Sequence, residues 1–414
     1  MTVLTIKKWL YLFLLIAICA AGCKQLYQPP AITASNNFLV VEGSISSGSD
    51  STFIKLSRTV RIYSKSASKP ELNAIITIEN DQNFVFPLIE TGNGNYGYAG
   101  LSLDPAHKYR LRIKTSNGEQ YLSDLVQVTN SPPIDSVSYD VSGSLNAGAG
   151  LNVYVSTHDQ TNNTRYYRWD YQETWIFHSF FPSYYYSDGD TVRYRNQYTQ
   201  NVTHCWASDT SSIIILASTV GLSKSEISNN RITFVPSTSE KVETQYSILV
   251  RQYALTLDAY NYYSAIKKNT EQIGSVFDAQ PSTIQGNIHC ISDPAKPVLG
   301  YITAGNASSQ RIFVDNYKLP AWAATYPYPD CHYEFDWSGN SSDECCYYNF
   351  HGVDQVDFYI NYKKSGIPHP FVPIDKINPN GDPVGFYAST QECVDCTIRG
   401  TNIMPPFWKP LINQ

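Results

Sequence analysis

The stretch KYRLRIKT, residues 108–115, alternates between apolar and charged side chains, and this period decides the fold class. The apolar set is Tyr109, Leu111 and Ile113, and the charged set is Arg110, Arg112 and Lys114. Because successive side chains of a β-strand point to opposite faces, the alternation predicts a strand with one buried and one solvated face. We therefore expect a protein built mainly from β-strands.

Similar runs extend over residues 38–130. NFLVVEG (37–43) and STFIKLSRTV (51–60) are separated from later runs by turn signals such as TGNGNYG (91–97) and SNGEQ (116–120). The chain also has 32 tyrosines, and aromatic residues favour strands. Six or seven short strands at this spacing predict an immunoglobulin- or transthyretin-like β-sandwich of about 90 residues.

A second domain begins near the stretch TNSPPIDSVSYD (129–140), where two consecutive prolines end one β-rich segment and another follows at once. We expect residues 131–414 to form a larger β-rich domain. Within it, residues 256–273 change to the period of a helix, with one apolar and aromatic face. That face consists of Ala259, Tyr262, Tyr263, Ile266 and Ile273. The pattern predicts an amphipathic helix on the flank of the second sheet.

The N-terminus resembles a bacterial lipoprotein signal peptide. A basic pair precedes an apolar stretch, residues 9–21, that is too short to cross a bilayer as a helix. The small residues before Cys23 resemble a lipobox. We expect residues 1–22 to be removed, Cys23 to carry the lipid that anchors the protein to the membrane, and residues 23–37 to form a tether. The alternative is an ordinary signal peptide in which Cys23 is incidental.

Composition narrows the class of partner and the compartment. Charged residues make up 16% of the chain and the formal net charge is -6, without a basic stripe, so we expect no nucleic acid partner. Export implies an oxidising compartment in which disulfides form. The candidates are Cys205, Cys290, Cys331, Cys345, Cys346, Cys393 and Cys396. Seven thiols predict three disulfides and one spare, and their pairing cannot be read from the sequence.

Cys393 and Cys396 form a Cys-x-x-Cys motif that has three interpretations. Zinc binding would need further ligands at irregular spacing. A redox motif would need a helix after it, and the following TIRGTNIMPPFW contains glycine and two prolines. The preferred interpretation is structural disulfides, to Cys331, Cys345 or Cys346, that hold the last twenty residues against the body.

An aromatic stretch marks the only candidate ligand or partner surface. Its residues are Trp175, Phe180, Phe181, Tyr184, Tyr185 and Tyr186. Several of them fall in HSFFPSYYYSDGD, which reads as a loop, and aromatic side chains exposed on a loop mark interfaces or ligand platforms. The alternative is that they form part of the core or of a packed loop.

Catalytic motifs are missing from the sequence. It contains no Gly-x-Ser-x-Gly elbow, His-Glu-x-x-His, P-loop or Gly-x-Gly-x-x-Gly. We therefore expect a protein that is not an enzyme and that uses no metal and no cofactor.

Three ordered blocks resemble a family of outer-membrane lipoproteins of unknown function from Bacteroidota. They are EGSISSGSDSTFIKLSRT (42–59), residues 270–305, and QECVDCTIRGTNIMPPFW (391–408). The last block departs slightly from the family pattern, which usually has a charged residue before Pro and Phe-Trp. The resemblance implies an N-terminal immunoglobulin-like domain, a β-rich second domain and genes that lie beside TonB-dependent receptors. The family has no known catalytic residues to carry over.

Three functional hypotheses follow. The first is a non-enzymatic outer-membrane lipoprotein that captures a ligand for, or caps, a TonB-dependent transporter, an analogy that rests on the family. The second is a structural or adhesive surface lipoprotein, and the third is an enzyme with an unrecognised site. The sequence leaves open which face of the outer membrane the protein occupies and what small molecule or glycan it would bind.

Overall fold

The structure is a computed structural model. It describes residues 37–48, 51–60, 68–144, 147–188, 191–271, 284–323, 325–328, 330–332, 349–350, 353–354, 371–377 and 385–409. The predicted signal peptide, Cys23, nearly all of the tether, Cys345 and Cys346 lie outside the described residues.

The predicted fold class is confirmed, because the protein is mainly β. The first unit begins with ten strands: β1 (Leu39–Ser46), β2 (Thr52–Arg58), β3 (Lys69–Pro70), β4 (Ile75–Asn80), β5 (Val85–Pro87), β6 (Ile89–Gly92), β7 (Asn95–Tyr98), β8 (Lys108–Lys114), β9 (Gln120–Ser123) and β10 (Val126–Thr129). The alternation predicted for β8 is observed: Tyr109, Leu111 and Ile113 are buried. There are ten strands instead of the predicted six or seven, because several strands, such as β3, are only two to four residues long.

The next elements form most of the second unit. They are β11 (Ile134–Ser144), β12 (Ala147–Asp159), β13 (Tyr166–His178), β14 (Tyr185–Ser187), β15 (Val192–Tyr194), β16 (His204–Thr210), β17 (Ile215–Ser218), β18 (Ser225–Pro236), β19 (Gln245–Leu255) and the helix α1 (Leu257–Glu271). The helix was predicted at 256–273, so its observed bounds agree closely. Tyr262, on the predicted face, lies 4.9 Å from Tyr301, and Tyr260, outside that face, lies 4.9 Å from Tyr166, between ring centroids.

After α1 the chain returns to the first unit and adds three short strands. They are β20 (Ile288–Cys290), β21 (Val298–Leu299) and β22 (Ala304–Gly305). β22 pairs in parallel with both β1 and β10, so it joins the half of the sheet that contains β10 to the half that contains β1. Gly300 has a φ of +144°, and a Cβ there would lie 2.3 Å from the Val41 carbonyl oxygen, so only glycine lets the returning chain approach β1.

This return differs from the division predicted from the sequence, which placed everything after residue 130 in one domain. The side chains of Ile288, Ile302 and Ala304 are buried in the first core together with Leu39 and Leu111. Strands of two or three residues show no period, so their sequence gives no sign of which core they join.

The second unit is a sandwich completed by one further strand, β23 (Ala307–Asp315). One sheet has the order β11-β12-β18, and the other has the order β16-β13-β19-β23 with β17 also paired to β13. The inward side chains of both sheets share one core, which includes Val153, Trp169 and Tyr246. The remaining elements are β24 (Asn349–Phe350), β25 (Val353–Asp354), β26 (Phe371–Ile377), β27 (Gly385–Thr390) and a four-residue helix α2 (Gln391–Val394).

An ionic cluster fastens the returning segment to the first unit. The buried Arg58 donates to Glu71 Oε2 at 2.6 Å and to Glu119 Oε2 at 3.1 Å. Lys296, from the returning segment, contacts Glu119, and the Tyr121 hydroxyl donates to the same carboxylate at 2.8 Å. Burial alone would raise the pKa of Glu119, but hydrogen bonds from Lys296 and Tyr121 outweigh it and lower the pKa to about 2.

We expect Glu119→Gln to lower the free energy of unfolding at pH 7 by about 1.5–3 kcal/mol, the range for a hydrogen bond to a charged group. The folded-state pKa of Glu119 is depressed, so its contribution is complete above its ordinary value of 4.5 and is lost as pH falls through about 2. The difference between the two proteins should therefore shrink between pH 4.5 and pH 2. Urea unfolding followed by circular dichroism at several pH values measures it.

The matched control is Glu42→Gln, which removes an exposed carboxylate 3.9 Å from Lys55. Exposed pairs contribute little, so this variant should unfold like the wild type at each pH. A stability difference for Glu119→Gln that stays constant from pH 7 to pH 2 would contradict the assignment.

Candidate functional site

The aromatic stretch does not form the exposed platform considered from the sequence. Trp175 is buried in the second core, and its indole Nε1 donates to Glu240 Oε1 at 3.2 Å while Lys241 lies 4.9 Å above the ring. The prediction that Trp175 belongs to a ligand or partner surface is therefore wrong. The period of β13 explains its burial, because Trp175 lies on the same face as the buried Trp169 and Tyr171.

The other five residues lie in a packed loop and in the short strand β14, which begins at Tyr185. Phe181 packs against the cluster of Cys393 and Val394, and Tyr185 makes an edge contact with Tyr194. Tyr184 and Tyr186 are half-buried. Of the six predicted surface residues, only Phe180 is largely exposed, at 48%. The alternative interpretation, a packed loop, fits this arrangement.

Two disulfides answer the question raised by the Cys-x-x-Cys motif. Cys396 bonds to Cys205, and Cys393 bonds to Cys331. Each cysteine of the motif has a different partner, so the pair is neither a dithiol nor a set of thiolate ligands. Cys290 is a buried free thiol, which corrects its place among the disulfide candidates.

The disulfides hold a C-terminal segment, residues 391–409, that crosses the five-stranded sheet from one edge to the other. At the first edge, Thr401 and Trp206 of β16 exchange two backbone hydrogen bonds of 2.8 and 2.9 Å. At the opposite edge, the buried Trp408 lies 5.4 Å from the ring of Phe313 on β23. Just before Thr401, Arg399 donates to Glu240 at 2.6 Å.

A cleft of about 600 Å³ lies where this segment reaches β23. It opens beside β11 and β23, the edge strands of the two packed sheets. Its lining residues are Val137, Ser138, Tyr139, Gln245, Arg311, Ile312, Phe313, Asp315, Tyr317, Lys318 and Lys409. This volume is in the range of small-molecule sites.

Three cations and one carboxylate set the charge of the cleft. Lys318 Nζ lies 2.8 Å from Asp315 Oδ2, and this pair is neutral overall. Arg311 and Lys409 form no ion pair within the described part of the chain. Burial lowers the pKa of Arg311, and the nearby charge of Arg251 lowers it further. The cleft therefore has a net positive charge.

Arg311 is held in place by contacts on both sides. Its Nη1 donates to the Ser247 hydroxyl at 3.1 Å, and its guanidinium lies 3.7 Å from the centroid of the Phe407 ring. Lys409 lies 5.7 Å from the Phe313 ring centroid. Phe407 and Lys409 both belong to the C-terminal segment, so the disulfides indirectly fix one wall of the cleft.

Gln245 supplies a buried polar group in the same wall. Only 3% of the residue is exposed, and its Nε2 donates to Asp315 Oδ1 at 2.8 Å. Its Oε1 accepts no hydrogen bond in the described structure. Burial alone would raise the pKa of Asp315, but hydrogen bonds from Lys318 and Gln245 outweigh it and lower the pKa. The amide nitrogen is thus committed, and the amide oxygen needs a donor.

A larger cavity, of about 790 Å³, lies at the junction of the two units. Its polar groups already serve the fold. His158 Nδ1 lies 2.7 Å from Asp135, and Asp159 accepts hydrogen bonds from the backbone of Thr161 and Thr164. We therefore regard the cleft beside β23 as the stronger candidate site.

The described residues include neither a candidate metal cluster nor a membrane-spanning helix. Within those ranges no group of three His, Cys, Asp or Glu side chains could hold a metal ion. In the same part of the chain, none of the helices has the length and apolar character to span a bilayer.

The architecture is thus that of a β-protein with two cores and a cationic cleft at a sandwich edge. Residues 26–311 match the family model of a domain of unknown function, DUF4249, and the chain belongs to this family. Two of the three blocks recognised in the sequence lie inside that match, and the block at 391–408 lies beyond it. No curated protein matches the chain significantly.

Among solved structures, one similar chain is described as "Biofilm associated protein - BSP domain". It is 7% identical, with a TM-score of 0.15, and the alignment covers 68% of this chain and 59% of that chain. The present chain therefore spans little more than half the length of that protein, and a likeness of this size supports no functional argument.

We expect the double variant Cys205→Ser/Cys396→Ser to lower the free energy of unfolding by about 2–5 kcal/mol, because this disulfide closes a long loop of the unfolded chain. Amide hydrogen exchange in residues 391–409 should rise more than exchange in β13. The control is Cys290→Ser, which changes a buried thiol without removing a covalent link. Unchanged exchange in residues 391–409 would show that the segment is held by other contacts.

Proposed function

We propose that this protein is a lipid-anchored lipoprotein of a bacterial outer membrane that captures a small ligand for a TonB-dependent transporter without catalysis. The observation that carries the proposal is the cleft beside β23, which is lined by a guanidinium without a carboxylate partner among the described residues and by a glutamine whose buried amide oxygen is unpaired. Groups of this kind orient and hold a ligand.

The anchor is supported by the sequence. The lipobox before Cys23 would place a lipid at the start of the mature chain, and the predicted tether would lead to β1. The transporter is supported by the resemblance of the three sequence blocks to Bacteroidota lipoproteins encoded beside TonB-dependent receptors. Both steps go beyond the family assignment, which is to a domain of unknown function.

The cleft also supports capture more than catalysis. Arg311 is fixed by Ser247 and Phe407, and Lys318 is paired with Asp315. Among the described lining residues there is no histidine and no cysteine, the side chains that most often supply a base or a nucleophile near neutral pH. A site with fixed cations and aromatic walls suits a ligand that is bound and then released.

An adhesive role is the second candidate, and a row of apolar side chains favours it. Phe53 on β2 and Ile89 on β6 are 58% and 72% exposed, and Gly97 of β7 is paired with both. The Phe53 ring lies over Gly97, because a Cβ built on Gly97 would lie 3.2 Å from that ring. Such an exposed row at the edge of a sheet could contact another surface.

We expect the tagged protein, extracted from native outer membranes in mild detergent, to retain a TonB-dependent receptor in near-stoichiometric amount, as identified by mass spectrometry. Cys23→Ala should remove the protein from the membrane fraction and abolish the association, because the lipid confines both partners to one surface. The cleft variant Arg311→Gln should keep the receptor, since the cleft serves the ligand.

Recovery of the protein alone, even after chemical cross-linking, would contradict the transporter role. Binding to cells or polymers without a receptor, lost when Phe53→Ser and Ile89→Ser are combined, would favour adhesion.

A further inference from the structure

We infer that the cleft beside β23 binds a hydroxylated oxyanion of the size of a single sugar ring, such as a sugar acid. The inference rests on the proposed function, because it names the ligand class of the same cleft. It follows from two groups in one wall: a cation without a carboxylate partner and an amide oxygen without a donor.

The first group selects an anion. Arg311 is half-buried, and among the described residues its guanidinium makes one polar contact, with the neutral hydroxyl of Ser247. Its stacking on Phe407 leaves the edge of the planar guanidinium to donate hydrogen bonds. Lys409 adds a second positive charge in the same cavity. A carboxylate or phosphate that bridges these groups would make charge-assisted hydrogen bonds where water is partly excluded.

The second group selects a hydrogen-bond donor. Gln245 lines the cleft, and its buried Oε1 is unpaired, while its own nitrogen donates to Asp315. A buried amide oxygen gains most from a donor that enters with the ligand. A hydroxyl group supplies such a donor without adding charge.

The distance between the two groups sets the size of the ligand. Arg311 is anchored to Ser247, which lies two residues from Gln245 on the same face of β19. Two residues along a strand correspond to about 7 Å. One sugar ring spans that separation between its acidic group and a distant hydroxyl, whereas acetate or a two-carbon hydroxy acid does not. The volume of about 600 Å³ also suits a small molecule more than a folded partner.

The test is isothermal titration calorimetry of the purified, detergent-solubilised full chain. The probes are glucuronate, glucose 6-phosphate, glucose, acetate and inorganic phosphate. We expect glucuronate or glucose 6-phosphate to bind at least tenfold more tightly than glucose, acetate and inorganic phosphate. The better of the two identifies the anion as a carboxylate or a phosphate. Tight binding of acetate or inorganic phosphate would show that the cleft takes any anion, and would overturn the need for a hydroxyl.

Two variants test the two groups separately. Arg311→Gln should lower the affinity for the preferred probe at least tenfold. Gln245→Met should lower it by a similar factor, because it removes the amide oxygen while keeping the side-chain length. The control is Arg231→Gln, an exposed arginine on β18 that does not line the cleft, and its affinity should match the wild type. Thermal unfolding of each variant checks that the fold is kept.

If Gln245→Met unfolds because Asp315 loses a donor, Arg311→Lys takes its place. That change keeps the positive charge but removes the planar guanidinium, so the affinity for the preferred probe should still fall. Wild-type affinity in Arg311→Gln, or no heat with any probe, would overturn the inference. The receptor pull-down does not depend on these probes, so a failed titration with a retained receptor would refute the ligand class and leave the transporter role intact.

Discussion

The disulfide between Cys205 and Cys396 is the constraint on which the candidate site depends. Residues 396–409 contain two prolines and no regular element longer than one turn, so backbone hydrogen bonding alone would not keep them on the sheet. The disulfide fixes the start of this segment at β16, and the burial of Trp408 fixes its end at β23. Phe407 then lies under Arg311, and Lys409 reaches the cleft.

A buried polar side chain, Gln252, connects the two units at the predicted domain boundary. Gln252 is fully buried, accepts a hydrogen bond from the Trp169 indole at 3.0 Å, and donates to the carbonyl of Pro132 at 2.9 Å. One amide thus joins the centre of the second core to the prolines that were predicted to separate the domains. Together with the return of residues 284–305 to the first core, this makes the boundary a site of extensive contact.

Period and local chemistry predicted the parts of the fold that depend on them. The alternation of β8 and the helical spacing of α1 are both local signals, and both elements are observed. The cleft could not be predicted in this way, because its walls come from β11, β19, β23 and Lys409, which are far apart in the sequence. One signal was present: a polar residue, Gln245, opens β19, and the first four residues of that strand are all buried. Disulfide partners were equally beyond reach, since pairing depends on the fold.

The cations beside β23 have another physical explanation, which the geometry allows us to weigh. Charged side chains on an edge strand prevent edge-to-edge aggregation, and they do so by projecting into water. Lys318 fits that role, since it is exposed and paired with Asp315. Arg311 does not, because it is half-buried, with one face covered by Phe407. Edge protection also gives no reason for Gln245 to keep a buried oxygen unpaired. An unpaired buried oxygen costs stability, and a ligand of the proposed kind would remove that cost by donating to it.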